Sequence, residues 1–237
     1  MKTPSTDFFE PSFLLQTMMG PNAVRIAEEM AAYLTLRPGM RVLDLGCGMG
    51  LTSIFLAKRY NVTVTAADLW ISPADNAERF AAFGLGDAVT PVSVDAAKGL
   101  PFAREYFDVL FSVDSYHYFG ANETMLPSLL PYLKPGGQVA VAVPGLKADF
   151  VNGEIPAVLQ PYWQPDMHFH STSWWRALWE KADGFTVAAC REMDCCKAAW
   201  DDWLKCPNPY AQGDIAMMKA ENGQYFNIVQ ITGTKAL

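Results

Sequence analysis

The sequence predicts an α/β fold: a doubly wound, mostly parallel seven-stranded sheet with helices on both faces, an N-terminal helix and an insertion after strand five. Three observations carry that prediction. Short apolar runs alternate with helical stretches through residues 41–143, and strands separated by helices imply a parallel sheet with right-handed crossovers. A glycine-rich turn at Gly46, Gly48 and Gly50 joins the first apolar run to the helix after it. Acids close the next runs, at Asp68 and Asp95, on the sheet edge where doubly wound folds hold ligands.

Taken in order, residues 22–35 place Ile26, Met30 and Leu34 at helical spacing, and Pro38-Gly39 stops that helix. Strands are expected at Arg41–Leu45, Val62–Ala66, Val92–Val94, Phe107–Val113 and Gln138–Val143. Helices are expected between them at Leu51–Arg59, Asp75–Phe83 and roughly 122–133, where Pro127 and Pro131 blur the limits. Residues 144–182 break the rhythm, with Pro144, Pro156, Pro161 and Pro165 among many aromatics, and lead into a helix at Ser173–Lys181. Phe185–Met193 and Phe226–Thr232 read as the last strands, with a short helix at Lys197–Lys205 between them. The 237 residues fit one domain, 1–237, in which 145–182 forms an insertion that is expected to cover the site as a lid.

The glycine turn, Asp44-Leu45-Gly46-Cys47-Gly48-Met49-Gly50, lets the backbone turn tightly and approach a ligand closely. Its spacing argues against a dinucleotide, since the third glycine such a loop needs is replaced by Leu51. Asp44 suits a cationic amine better than a pyrophosphate. Asp68, at the end of the second strand, can accept both hydroxyls of a ribose, and Asp95 can accept from an adenine amino group. Together these acids describe a site for a nucleoside joined to an amino acid.

At this point the chain resembles the class I, Rossmann-like methyltransferases that use S-adenosylmethionine, whose first motif is an Asp-x-Gly-x-Gly-x-Gly loop. The resemblance continues through Leu100-Pro101-Phe102, Phe107-Asp108-Val109-Leu110, the run Ser112–Phe119 and the turn Leu133-Lys134-Pro135-Gly136-Gly137. It is similar above all to small-molecule enzymes of the ubiquinone-biosynthesis, sarcosine and sterol kind. That resemblance implies S-adenosylmethionine as cofactor, held by Asp44, Gly46, Cys47, Gly48, Gly50, Asp68, Leu69, Asp95, Ala96, Ser112 and Asp114. It implies an acceptor facing His117 and Tyr116, and in-line methyl transfer that needs alignment more than acid–base help. A protein that binds the same cofactor as a sensor or regulatory subunit is the alternative.

Each signal also has a plainer reading. Asp68 can cap a helix, Asp95 can sit in an ordinary turn, and His117 can pack beneath the insertion. His168 and His170 lack a third ligand, so no metal is expected, and Cys195, Cys196 and Cys206 show no defensible metalloid spacing. Tyr162, Trp163, Trp174, Trp175 and Trp179 are core residues more readily than a cage for a cation. The formal charge of −7, without a basic patch, argues against nucleic acid. No apolar run spans a bilayer and no leader is visible, so a cytoplasmic location without membrane insertion is expected.

Overall fold

The computed structural model describes residues 5–237. Its sheet has seven strands: β1 (Arg41–Leu45), β2 (Thr63–Asp68), β3 (Val89–Ser93), β4 (Phe107–Val113), β5 (Leu133–Leu146), β6 (Phe185–Glu192) and β7 (Phe226–Lys235). Their order is β3-β2-β1-β4-β5-β7-β6. All neighbours run parallel except β7, which is antiparallel to both β5 and β6. The chain therefore winds outward from β1 in both directions, and the crevice between β1 and β4 is the switch point.

Alternation along the strands builds two cores. Val42 faces one layer while Leu43 and Leu45 face the other, as period-two geometry requires. On one face lie α2 (Ala23–Ala31), α3 (Leu51–Tyr60) and α8 (Cys196–Trp203), which bury Ile26, Met30, Phe55 and Trp200. On the other, α6 (Met125–Leu129) and α7 (Thr172–Trp179) bury Leu126, Leu129, Trp175 and Trp179. Truncating a buried tryptophan such as Trp175 to alanine costs roughly 3–5 kcal/mol.

The departures from the sequence expectation have local causes. α2 starts behind Asn22, whose Oδ1 accepts from the Val24 and Arg25 amides, and it ends at Ala31 rather than near 35. β3 runs Val89–Ser93 through Pro91, tolerated because β3 is the edge strand. β5 continues through Pro144 because its pairing with β4 stops at Ala142, so the missing N–H faces no partner on that side. The insertion therefore starts after Leu146. The expected helix at 122–133 is broken into α6 and a 3-10 turn at Leu130–Tyr132, preceded by the short α5 (His117–Gly120). Besides the short α5, two longer helices escape the sequence reading. They are α1 (Pro11–Thr17) and α9 (Pro209–Glu221), the latter with its apolar side chains spread around the axis instead of along one stripe.

Candidate active site

A cleft opens at the carboxyl ends of β1, β2 and β4, in two lobes that meet at Gly46, Asp68, Trp70, Ser115 and Tyr118. The smaller lobe, about 100 Å³, is bounded by Met19, Gly20, Cys47, Gly48 and Asp114. The second, about 240 Å³, is bounded by Leu69, Val94, Asp95, Ala96 and Phe119. The thirteen residues expected at the site from sequence divide here: eight line this cleft and five stand behind it.

The glycine loop is tightly held. Gly46 and Gly48 have φ of 74° and 53°, the left-handed region where a side chain is strained. The Gly46 and Cys47 amides both donate to the Ala67 carbonyl, at 2.8 and 3.1 Å. Gly48 N–H donates to Asp68 Oδ2 at 2.8 Å. The first three amides of the loop are thus already engaged, which leaves little for a pyrophosphate and suits a ligand that donates hydrogen bonds. A Cβ on Gly46 would overlap Ser115 Oγ, so that glycine also lets β4 close onto the loop.

Asp68 joins loop and strand. Its Oδ1 accepts from the Trp70 and Ile71 amides at 2.8 and 3.0 Å while Oδ2 holds Gly48. A carboxylate has about four acceptor positions, so ligand hydroxyls can still be received. Asp95 caps the 3-10 turn Ala96–Lys98 through the Ala97 amide at 3.1 Å and pairs with Lys98 at 3.0 Å. That lysine holds its carboxyl below the usual range.

Asp114 ends β4 with φ 55° and its amide bonded to the Ala142 carbonyl at 2.8 Å. Its carboxylate presses on the backbone of Gly20, where a Cβ would overlap Oδ2, and receives no hydrogen bond from the described residues. Burial, with a smaller contribution from Asp214 on α9, pushes its carboxyl up to about 8. Burial, Asp114, Asp166 and Asp214 likewise push the Tyr118 phenol up to about 12. Trp70 and Tyr118 meet edge to face at 5.8 Å on the mouth, and both are exposed.

Five expected site residues stand outside the cleft. Asp44 is fully buried, accepts from Thr52 Oγ1 at 2.5 Å and Ser53 Oγ at 2.6 Å, and so pins α3 to β1; burial raises its carboxyl to about 6. It reaches the cleft only through Thr52, which lines it. Gly50 caps α3 with φ 86°, and its missing Cβ makes room for Phe80. Ser112 is buried, and its hydroxyl donates to the Leu45 carbonyl at 2.7 Å. Tyr116 is packed against Phe119, Trp175 and Trp179 in the second core. His117 is 2% exposed beside Phe169, with Nδ1 unpartnered, and burial pulls its imidazole down to about 3, with His168 adding. The positions at which Tyr116 and His117 were expected to meet an acceptor are thus core positions, because α5 turns both rings inward.

The insertion behaves similarly. Trp163 packs on Phe150 and Phe169, Phe169 packs on His117 and Phe226, and Trp174 stacks on His170 at 3.6 Å. None of residues 147–171 lines the two lobes. Among the described residues no group of three or more His, Cys, Asp or Glu is arranged to hold a metal.

Sequence reasoning missed Met19, Gly20, Trp70, Ser115 and Tyr118. Gly20-Pro21 before the Asn22 cap was a legible turn signal, and Asn208-Pro209 was a legible start for α9. Trp70 and Tyr118 carried no signal beyond lying next to Asp68 and His117 in sequence.

Residues 42–137 match a methyltransferase domain family, and the chain has the fold of the class I S-adenosylmethionine-dependent methyltransferases, whose strand order it shares. Among curated relatives, it is 38% identical over 108 residues to a 2-methyl-6-phytyl-1,4-hydroquinone methyltransferase of Synechocystis, covering 46% of this chain and 33% of that protein. Among solved structures, phosphoethanolamine N-methyltransferase 2 of Haemonchus contortus superposes with a TM-score of 0.74 at 17% identity, over 99% of this chain and 59% of the other. Geranyl diphosphate C-methyltransferase of Streptomyces coelicolor gives 0.73 at 14% identity, over 91% and 81%. The matches to the first curated relatives span between 25% and 49% of their lengths.

Proposed function

We propose that the chain transfers the methyl group of S-adenosylmethionine to a small-molecule acceptor, and that the two-lobed cleft is where both bind. The observation that carries this is the convergence of the glycine loop, Asp68, Asp95 and Asp114 on one crevice at the switch point. The residues fit the group. S-adenosylmethionine carries a sulfonium and an ammonium, and no Lys, Arg or His is among the residues lining either lobe. The apolar second lobe, between Leu69, Val94 and Ala96, takes the adenine, with Asp95 facing its amino group and Asp68 the ribose. The loop Gly46-Cys47-Gly48, which lines the smaller lobe, borders the amino-acid part. Asp44, Gly50 and Ser112 keep a supporting role behind the loop.

When bound, the cofactor supplies an activated methyl on sulfur that leaves by in-line displacement. What the chain contributes is alignment and exclusion of water. Trp70, Tyr118 and Met19 border the place from which an acceptor enters, and Asp166 of the insertion acts on Tyr118 from outside. In this reading the insertion shields the outer side of Tyr118 and His117 rather than roofing the cofactor. Five free thiols, and the lack of a helix long and apolar enough to cross a membrane among the described residues, support a cytoplasmic setting.

Incubation with methyl-labelled cofactor and a small-molecule extract tests the reading against the sensor alternative. Label must appear in a low-mass product, and must fail to appear with Asp68→Ala. Cofactor binding without any labelled product would favour the sensor.

A further inference from the structure

We propose that the rings of Trp70 and Tyr118 read the positive charge on the cofactor's sulfur, and so distinguish S-adenosylmethionine from the neutral thioether that remains after transfer. The inference rests on the methyl-transfer reading above and deepens it, by assigning residues to the one part of the cofactor that the acids and the glycine loop leave without any. Adenosine in the apolar lobe and the amino-acid part in the smaller one put the sulfur, which joins them, at the junction of the two lobes. Five residues line both lobes and so define that junction: Gly46, Asp68, Trp70, Ser115 and Tyr118.

A trialkylsulfonium has no N–H or O–H to donate, so no hydrogen bond can single it out. Its charge is felt only through a nearby negative group or through the quadrupole of an aromatic ring. Three of the five junction residues are otherwise engaged. Gly46 has no side chain, and the Ser115 hydroxyl is within 3.0 Å of both the Leu45 carbonyl and Ser112 Oγ. The Asp68 carboxylate accepts from the amides of Gly48, Trp70 and Ile71 and faces the ribose. Trp70 and Tyr118 remain.

Both rings are held in place. The Trp70 amide donates to Asp68 Oδ1 at 2.8 Å, which ties it to the glycine loop through the carboxylate that also holds Gly48. The Tyr118 ring is backed by the His117 ring, with centroids 4.0 Å apart. Trp70 and Tyr118 then meet at 5.8 Å and 68°, so the pair reaches across the crevice from the end of β2 to α5. In an edge-to-face pair each ring keeps a face free, and Trp70 is 69% and Tyr118 52% exposed. Exposed Met19 and Leu69 continue the same rim, and a cluster of exposed large apolar side chains marks a place where a ligand sits. No Lys, Arg or His lines either lobe, so no resident cation competes for the ring faces.

The pair gives the cleft a way to tell a fresh cofactor from a spent one. When the methyl passes to the acceptor, the C–S bonding pair stays on sulfur and the thioether is neutral. The rings then hold the product only by apolar contact, which favours its exchange for a charged cofactor.

The test is calorimetry with S-adenosylmethionine and with S-adenosylhomocysteine on wild type, Trp70→Leu, Tyr118→Leu and Tyr118→Phe. Leucine keeps apolar contact and removes the quadrupole, while phenylalanine keeps the ring and removes only the hydroxyl. S-adenosylmethionine should lose about three- to tenfold in each leucine variant, the range of a cation–π contact, while S-adenosylhomocysteine stays within about twofold. Tyr118→Phe should keep the wild-type ratio of the two affinities. Both side chains are exposed, so the leucine variants should melt with wild type; Trp70→Gln and Tyr118→Gln repeat the comparison with a polar, non-aromatic side chain should leucine destabilise the fold. Equal losses of both cofactors would overturn the proposal and leave the rings as an apolar wall. So would a Tyr118→Phe that behaves like Tyr118→Leu, or leucine variants that bind both cofactors as wild type does, which would assign the rings to the acceptor alone. Failure of wild type to bind either cofactor would instead refute the underlying methyl-transfer reading, and the proposal with it.

Discussion

Replacing Asp68 with Asn changes one atom type and leaves the shape, yet it removes something that the loop cannot do without. The carboxylate accepts from three backbone amides, Gly48 on Oδ2 and Trp70 and Ile71 on Oδ1. An amide has one oxygen. With that oxygen toward Trp70 and Ile71, the new NH₂ faces the Gly48 N–H, donor against donor; turned the other way, two bonds are lost instead of one. A hydrogen bond to a charged group contributes about 1.5–3 kcal/mol, and a buried donor left unsatisfied costs a similar amount. A loss of about 2–3 kcal/mol is therefore expected even without ligand, which in a chain of this size lowers the melting temperature by roughly 4–12 °C. Thermal unfolding of ligand-free protein and calorimetry with S-adenosylhomocysteine measure the two consequences separately. Affinity should fall as well, since the same carboxylate faces the ribose. A variant that melts within about 1 °C of wild type would refute the loop-pinning argument, and unchanged affinity would remove Asp68 from the ligand site.

Gly50→Ala combines a left-handed φ of 86° with overlap on the Phe80 ring, and should cost about 2–4 kcal/mol, read in denaturant unfolding. His117→Leu removes a buried imidazole whose Nδ1 has no partner, so stability should hold or rise and cofactor affinity should not move; a hundredfold loss of turnover would return His117 to the chemistry. Asp114→Asn should flatten the pH dependence of stability. The folded carboxyl is raised to about 8 from an unfolded value near 3.8, so wild type is most stable below pH 4 on this account and loses stability up to about pH 8. At pH 8 the variant should be the more stable by on the order of 1–3 kcal/mol, and at pH 4 the two should coincide, by thermal melts across that range.

The sheet was legible because its strands are short, apolar and separated by helices. β1 and β4 fall at the expected limits, Arg41–Leu45 and Phe107–Val113. The prolines misled, since Pro91 and Pro144 look like strand breakers until the topology places each one where an N–H is not needed. The glycine loop, Asp68 and Asp95 were legible from spacing alone, being consecutive with their strands. Tyr116 and His117 were not, because four residues of helix decide which ring turns inward, and both turned toward Trp175, Trp179 and Phe169. α9 was only half legible: Asn208-Pro209 marks its start, but its side chains form no apolar stripe that would have announced the helix itself.

The electrostatics of the cleft link stability, binding and protons through one residue. Asp44 and Asp114 both have raised carboxyls, but their roles differ because their surroundings do. Asp44 is fully buried behind the loop and held by two hydroxyls on one oxygen. Asp114 has no donor among the described residues and opens on the cleft, and burial raises its carboxyl to about 8, so it keeps a proton to higher pH than a solvated carboxyl would. A cation arriving beside it favours the charged form and must drive that proton off. Binding of a positively charged ligand in this lobe should therefore release a fraction of a proton at pH 7, falling to nearly none above pH 9, where the carboxyl is already ionised. Buffer-dependent binding enthalpy measures the release directly, and a ligand that brings no charge should release none. Proton release that persists in Asp114→Asn would place its source elsewhere and break the link between the orphaned carboxylate and the ligand's charge.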